Sequence, residues 1–255
     1  MNLRALIPSL LVCAASLSST GCNAPGKPGP YTAVARPDQL LDFTTLYAQN
    51  CASCHGVNGK NGAAISLANP VYLAVAGVSN IQRVTANGVP GTEMPPFGKA
   101  AGGMLTDQQI AVLSQQMVGQ WGNPSALSGI TPPAYASSTP GNAAQGEKTF
   151  MKSCGRCHVE NFYPNGLPTG LVSELLPQMP DKLAPLSLVD PAYLALISDQ
   201  GLRSIILAGQ TEQGPHNWRS YTPGHPMTDQ DVTDIVAWLT SHRIATPGQP
   251  YQSHP

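Results

Sequence analysis

The chain has 255 residues, enough for one large or two modest domains. Charged residues make up 11% of the sequence, and Gly and Pro number 25 each, so the composition predicts short helices joined by many turns. The formal net charge of −1 provides neither the basic footprint of a nucleic-acid-binding protein nor a field that would steer a charged partner.

The N-terminus has the pattern of an export signal. Arg4 supplies a positive start, and residues 5–18 form an apolar run that is too short for a membrane span of about 20 residues. Ser-Thr-Gly-Cys follows at 19–22 and is similar to a bacterial lipobox, in which signal cleavage leaves a lipidated Cys. We therefore expect a signal peptide at 1–21, a lipid anchor at Cys22 and a Pro/Gly-rich tether at 22–37, with an ordinary secretory signal as the alternative.

Two predicted short helices, 38–50 and 142–153, each lead directly into a C-x-x-C-H motif. The motifs are Cys51-Ala52-Ser53-Cys54-His55 and Cys154-Gly155-Arg156-Cys157-His158. This spacing is the attachment signature of c-type heme, because two thiols two residues apart reach the two vinyl groups on one porphyrin edge. The adjacent His then supplies the proximal ligand to the iron.

The motifs therefore predict two heme c groups. Cys51, Cys54, Cys154 and Cys157 would form the thioethers, and His55 and His158 would bind iron. A zinc knuckle would usually need two more Cys or His at finger-like spacing, and a redox C-x-x-C needs no following His. The remaining cysteines lie in the signal (Cys13) and at the predicted anchor, so none is left for a disulfide.

The two halves of the chain repeat one pattern beyond the motifs. Each half has a helix cap followed by Pro, at Asn69-Pro70 and Asp190-Pro191, and a Gly eighteen residues after the Pro, at Gly88 and Gly209. Each then has a Thr-Asp-Gln cap before an amphipathic last helix, beginning at Thr106 and Thr228. We expect domains at 38–121 and 142–243, a linker at 122–141 and a tail at 244–255. An extra stretch at 162–182 predicts a surface loop near the second motif.

This order of elements resembles class I (mitochondrial-type) cytochrome c, and the chain resembles a bacterial diheme member with two tandem domains. The resemblance implies an all-α fold in which each domain wraps one covalently attached heme. It also implies that first and last helices cross beside the heme, with Phe150 against Trp238; Gln116 matches Trp238 in the first domain, so that crossing must pack differently. A loop carbonyl would orient each proximal His, from Ala64-Ile65 for His55 and Pro185-Leu186 for His158.

In the first domain the resemblance implies Met94, in Glu93-Met94-Pro95-Pro96-Phe97, as the distal iron ligand. Two other methionines compete. Met117 lies on a helix face and is expected in the core, whereas Met104, just before the helix cap, is expected as a hydrophobic staple.

The second distal ligand is ambiguous. Counting back from Thr228 matches His216 to Met94, while counting forward from Gly209 matches Pro215 instead. We choose His216, with Met227 next, and His225 or an open iron as further alternatives. A second imidazole lowers the heme potential relative to a thioether, so the second heme is expected to have the lower potential. Side chains that could contact the heme propionates are Arg83, Arg203, Trp218 and Arg219, with exposed surface as the alternative for the arginines.

The predicted function is single-electron carriage between a periplasmic or membrane donor and a terminal acceptor. The protein would be exported, lipid-anchored on the periplasmic side of a bacterial membrane, and would bind redox partner proteins such as a cytochrome, oxidase or dehydrogenase. Alternatives are a cytochrome subunit of a membrane dehydrogenase or respiratory complex, and a diheme peroxidase-like enzyme with one open heme.

Overall fold

The computed structural model describes residues 36–158, 188–209, 217–219 and 224–244. The predicted signal peptide, Cys22, most of the tether, the 162–182 loop, Pro185, His216 and the tail beyond Ile244 lie outside the described residues. The chain forms two compact units, residues 1–39 and residues 40–255. In the first unit, Pro37–Gln39 forms a 3-10 turn. The second unit holds all helices named below.

The described part of the second unit is helical, and its only β pairing is an isolated bridge between Gly98 and Leu105. The α-helices, numbered in chain order, are α1 Phe43–Asn50, α2 Ala52–His55, α3 Pro70–Asn87, α4 Asp107–Trp121, α5 Ala143–Ser153, α6 Gly155–His158, α7 Pro191–Leu196, α8 Asp199–Ala208 and α9 Asp229–Thr240. This architecture confirms the predicted all-α class.

Helix α1 begins at Phe43, five residues later than the apolar pattern predicted. Asp42 is the N-cap, and its carboxylate accepts a hydrogen bond from the backbone N–H of Thr45 at 2.8 Å. This bond satisfies an N–H that has no partner within the helix, so the helix starts where the cap lies rather than where the apolar residues begin.

The middle helices break at the same place in both halves. Gly77, seven residues after Pro70, has non-helical φ 65° and ψ 168° and kinks α3. Ser198, seven residues after Pro191, separates α7 from α8 and caps α8 by accepting from the N–H of Gly201 at 3.0 Å. The helices end at Gly88 and Gly209 as predicted, so the repeat extends to the backbone of both copies.

The last helices, α4 and α9, each begin with a capping box, at Thr106 and Thr228. The expected staple at Met104 is wrong, because this side chain is 81% exposed. Leu105, the residue directly before the cap, is buried in one cluster with Ile110 on the first turn of α4. The staple position is one residue closer to the cap than the sequence suggested.

In the second domain, α5 crosses α9 at very short range. Phe150 and Trp238 stack with ring centroids 4.5 Å apart, which confirms the predicted aromatic contact. Gly146 on α5 faces the backbone of Asp234, and a Cβ at this glycine would lie 1.9 Å from the Asp234 carbonyl oxygen. Only a residue without a side chain allows this approach, so Gly146 and Trp238 together define the crossing.

The first domain makes the corresponding crossing with aromatic side chains on both helices. Phe43 stands where α5 has Gly146, eight residues before the motif, and Gln116 stands where α9 has Trp238. Trp121, at the end of α4, completes the contact, with ring centroids 5.4 Å from Phe43 and 5.0 Å from Tyr47. The crossing therefore packs differently, as predicted, and Trp121 is the partner that the sequence pattern did not reveal.

Replacing Trp238 by Ala should lower the free energy of unfolding of the heme-loaded protein by about 3–5 kcal/mol, the usual loss for a buried aromatic. Gln116→Ala at the matching exposed position of α4 should change it by less than about 0.5 kcal/mol. Guanidinium unfolding followed by circular dichroism measures both. Similar losses in the two variants would contradict the crossing described here.

Candidate heme-binding sites

The first C-x-x-C-H motif forms one helical turn directly after α1. Cys51 caps α1 by donating its N–H to the Tyr47 carbonyl at 2.9 Å, and the N–H of His55 bonds the Cys51 carbonyl at 3.0 Å. This turn gathers both thiols and the imidazole in one short segment, as simultaneous attachment to one porphyrin requires.

His55 is oriented as a proximal ligand needs to be. Its ring is buried, and Nδ1 lies 2.8 Å from the carbonyl oxygen of Ile65. A carbonyl only accepts, so Nδ1 carries the proton and Nε2 keeps its lone pair. Burial lowers the pKa of His55, which favours this neutral form. The carbonyl predicted from the Ala64-Ile65 position is therefore confirmed at Ile65.

A tight loop after the motif brings that carbonyl to His55. Gly56 has φ +79°, and a Cβ there would lie 1.8 Å from the Lys60 carbonyl oxygen. The N–H of Ala64 bonds the Cys54 carbonyl at 2.9 Å, and the Tyr47 hydroxyl donates to the Gly56 carbonyl at 2.9 Å. The sequence pattern assigns Tyr47 only to an apolar helix face. The matching residue Phe150 has no hydroxyl, and this difference was the one sign that Tyr47 makes a polar contact.

The two thiols of this motif lie in different environments. Cys51 is buried, and burial raises the pKa of its thiol to about 12, whereas Cys54 is exposed. The neighbouring Val57 is 78% exposed. These two sulfurs would form the thioethers to an attached porphyrin.

Met94 lies in the loop that follows α3. Its carbonyl accepts from the N–H of Val89 at 3.0 Å, and its N–H bonds the Thr92 hydroxyl at 3.2 Å. Its side chain is half-buried, whereas the competitor Met117 is fully within the core, as expected.

The second motif repeats the backbone arrangement of the first. Cys154 caps α5 by bonding the Phe150 carbonyl at 2.7 Å, and the N–H of His158 bonds the Cys154 carbonyl at 3.1 Å. The side chains of Cys154 and His158 are half-buried. The predicted carbonyl at Pro185-Leu186 lies outside the described residues.

The loop before each last helix fixes the register of the two copies. Leu105 donates its N–H to the Phe97 carbonyl and Met227 donates to the Trp218 carbonyl, both at 2.8 Å. Phe97 follows Gly88 by nine residues and Trp218 follows Gly209 by nine, so the extra residue of the second copy comes after Trp218.

This register matches Met94 to Pro215, which has no donor group, and places His216 one residue further along the chain. Met227 takes the position of Leu105 and is buried in the apolar cluster that includes Val232. His225 is exposed.

The arginines singled out from the sequence have different roles. Arg203 is only 3% exposed, and its guanidinium bonds the Ala134 carbonyl, the Thr233 hydroxyl and the Asp229 carboxylate. Arg203 therefore differs from both expectations, a contact with a propionate and an exposed position, because protein groups bind its guanidinium in the interior. Arg83 is exposed beside Asn80, at 3.2 Å.

Trp218 provides the test of whether the second domain fits a heme. Its side chain is 2% exposed, and among the described residues its Nε1 is the one buried side-chain nitrogen or oxygen without a hydrogen-bond partner. Arg219 lies 5.8 Å from the centre of its ring and bonds the Ala126 carbonyl. A buried N–H needs an acceptor, and a heme propionate beside this cation would supply one, so the residues fit the group.

Comparison with known proteins finds a family model in each half of the chain. The model "Cytochrome C oxidase, cbb3-type, subunit III" matches residues 38–115, and the model "Cytochrome c" matches residues 143–243. The chain is a diheme c-type cytochrome. The two domains of this cytochrome imply two covalently bound heme c groups.

The curated relatives include a protein named "Cbb3-type cytochrome c oxidase subunit CcoP" from Azospirillum sp. (strain B510). It is 28% identical over 141 residues, a match that covers 49% of the cytochrome and 43% of the relative. The cytochrome thus spans less than half the length of this relative. No solved structure gives a significant match.

Two other properties concern the described part of the chain. It contains no helix long and apolar enough to cross a bilayer. No three His, Cys, Asp or Glu side chains in these ranges converge as a metal-binding group.

Trp218→Phe should lower the stability of the heme-loaded protein by about 1.5–3 kcal/mol, the value of a hydrogen bond to a charged group. Phe is the residue at the matching position 97, so the ring is expected to fit. Chemical unfolding measures the change. The same substitution in a Cys154→Ala/Cys157→Ala background is the control and should be neutral, and an equal loss there would mean that heme does not supply the acceptor.

Proposed function

We propose that this cytochrome carries single electrons between a donor at the membrane or in the periplasm and a terminal acceptor. Heme c supplies a reversible one-electron couple at its iron. The observation that carries the proposal is His55: a buried, neutral imidazole that donates Nδ1–H to Ile65 and keeps Nε2 for a metal.

The chain's residues hold the two cofactors in two domains, which we place at 38–121 and 142–243. In this proposal Cys51 and Cys54 hold the first heme and Cys154 and Cys157 the second, with His55 and His158 as proximal ligands. The Ile65 carbonyl fixes the ring orientation and tautomer of His55 and increases its basicity as a ligand. The apolar clusters around α1 and α4 and around α5 and α9 exclude water from the sites.

For the distal ligands we propose Met94 in the first domain and His216 in the second, with Met227 as the alternative. His216 is the nearest residue with a donor side chain to Pro215, which occupies the Met94 register. The burial of Met227 at the staple position of α9 supports a packing role for its side chain. A thioether raises and a second imidazole lowers the potential, so electrons would pass from the second heme to the first.

We further propose export with a lipid anchor at Cys22, and a cbb3-type oxidase as the terminal acceptor. The similarity to a cbb3 oxidase subunit supports this choice of partner. The same similarity favours a second candidate, in which the cytochrome is a fixed subunit of such an oxidase rather than a free carrier. Co-purification of oxidase subunits in mild detergent would favour the fixed subunit; recovery of the cytochrome alone would favour the carrier.

The proposed attachment predicts two covalently added porphyrins in protein matured in a heme-attaching host. Intact-protein mass spectrometry should find two in the wild type and one in each of Cys51→Ala/Cys54→Ala and Cys154→Ala/Cys157→Ala. Cys13→Ser, which alters a cysteine outside both motifs, is the control and should retain two. A single porphyrin in the wild type would overturn the diheme carrier.

Replacing His216 by Ala should remove the low-spin spectrum of one heme and let the reduced protein bind carbon monoxide there. Met227→Ala should leave the low-spin spectrum intact. Potentiometry of the wild type should resolve a lower second midpoint, because about 59 mV corresponds to a tenfold equilibrium bias for one electron. Rapid carbon monoxide binding by the unaltered protein would instead indicate an open iron and favour the peroxidase-like alternative.

Cys22→Ser should release the protein from membranes, because the substituted residue cannot take the lipid that would hold the chain at the bilayer. Fractionation of cells after export measures the change, with Cys13→Ser as the matched control. Equal membrane retention of the wild type and Cys22→Ser would contradict lipid anchoring.

A further inference from the structure

One side chain of the first domain caps a helix in each domain. Asn69 is 1% exposed, and its Oδ1 accepts from the N–H groups of Val71 and Tyr72, at 2.9 and 3.2 Å, as the N-cap of α3. Its Nδ2 donates to the carbonyls of Ala208 and Gly209, at 3.2 and 3.0 Å. These carbonyls close the C-terminal end of α8 in the second domain, so one amide satisfies groups in both domains.

The first turn of α3 extends this contact into both apolar cores. Val71 and Val75 pack in the cluster of the second domain, although they belong to a first-domain helix. Tyr72 points into the cluster of the first domain, where its ring lies 6.4 Å from that of Tyr135 in the linker. The cores are therefore joined through α3, whose Val75 borders both clusters, and through Ala208 of α8, which belongs to the first-domain cluster.

The linker between the domains is also fixed to the second domain. The buried Arg203 donates to the Ala134 carbonyl at 2.9 Å, and Gln200 donates to the Tyr135 carbonyl at 2.7 Å. The Asp229 carboxylate accepts from the Ala134 N–H at 2.9 Å and also pairs with Arg203. A buried charge that is held this way makes the linker part of the second domain rather than a loose connection.

We infer that Asn69 is a positioning residue that locks the two heme domains into one rigid body, so that electrons pass between hemes across a fixed separation. Tethered domains that met by diffusion would need no buried amide at their contact and no capped helix end. The electron-transfer part of this inference rests on the proposed function, whereas the lock itself does not.

Two substitutions separate the two roles of Asn69. Asn69→Asp keeps an oxygen that can cap α3 but replaces the amide donor with an anion that faces two carbonyls. Asn69→Ser also keeps a cap acceptor and introduces no charge, which covers the case in which Asn69→Asp does not fold. Asp190→Asn is the matched control, because Asp190 caps α7 at the same position of the repeat and is exposed.

The experiment measures the spread of iron–iron distances in the fully oxidised, heme-loaded protein by pulsed electron paramagnetic resonance at pH 8. We expect a narrow distribution in the wild type and Asp190→Asn and a broad one in Asn69→Asp and Asn69→Ser. Amide exchange in the last turn of α8 should quicken by about tenfold or more in both Asn69 variants, since two hydrogen bonds to the carbonyls at this helix end are lost.

A broad distribution in the wild type would overturn the lock. A narrow one in Asn69→Asp or Asn69→Ser would also overturn it, and loss of stability without broadening would show that Asn69 only supports its own helix. The electron-transfer part of the inference is tested by rapid reduction of the protein, after which the rate of electron transfer between the hemes is measured. In the wild type this rate should not depend on solvent viscosity. If no electron passes between hemes while the distances stay narrow, the proposed function fails and the lock remains.

Discussion

Each domain depends on the crossing between the helix that leads into C-x-x-C-H and the last helix. The two copies fill this crossing with different side chains. The second domain places a Gly on the first helix and a Trp on the last; the first domain places Phe43 on the first helix and Gln116 on the last, with Trp121 nearby. The side chains at the crossing therefore differ between the copies, although a Trp of the last helix takes part in both.

The crossing sets the position of the heme motif, and local hydrogen bonds then set its chemistry. The motif turn begins directly after the last residue of the first helix, so any shift in the crossing moves the thiols and the imidazole together. The loop after His55 folds back tightly, so that the Ile65 carbonyl can accept a hydrogen bond from Nδ1–H of His55. Burial and this carbonyl act together: the first keeps the imidazole neutral, and the second decides which nitrogen is available.

The two copies differ at residues near the heme motifs and at the contact between the domains. Tyr47 ties the first motif to its loop through a hydroxyl that Phe150 lacks, and Trp218 carries an N–H where the first domain has Phe97. At the contact between domains, Asn69 supplies an amide donor, whereas the matching Asp190 has only acceptor oxygens. Only the first copy therefore has a cap residue that can also donate to the carbonyls of the other domain.

The sequence by itself determined what depends on near neighbours. Caps at Thr106 and Thr228, the helix ends at Gly88 and Gly209, and the C-x-x-C-H turns were readable because their partners lie within a few residues along the chain. Tertiary structure decided what depends on distant partners: Trp121 against Tyr47, the burial of Arg203, and the second role of Asn69 some 140 residues from the carbonyls it caps. No local pattern encodes such pairings, because many polar residues have the same short-range signature and only the folded chain selects which groups meet.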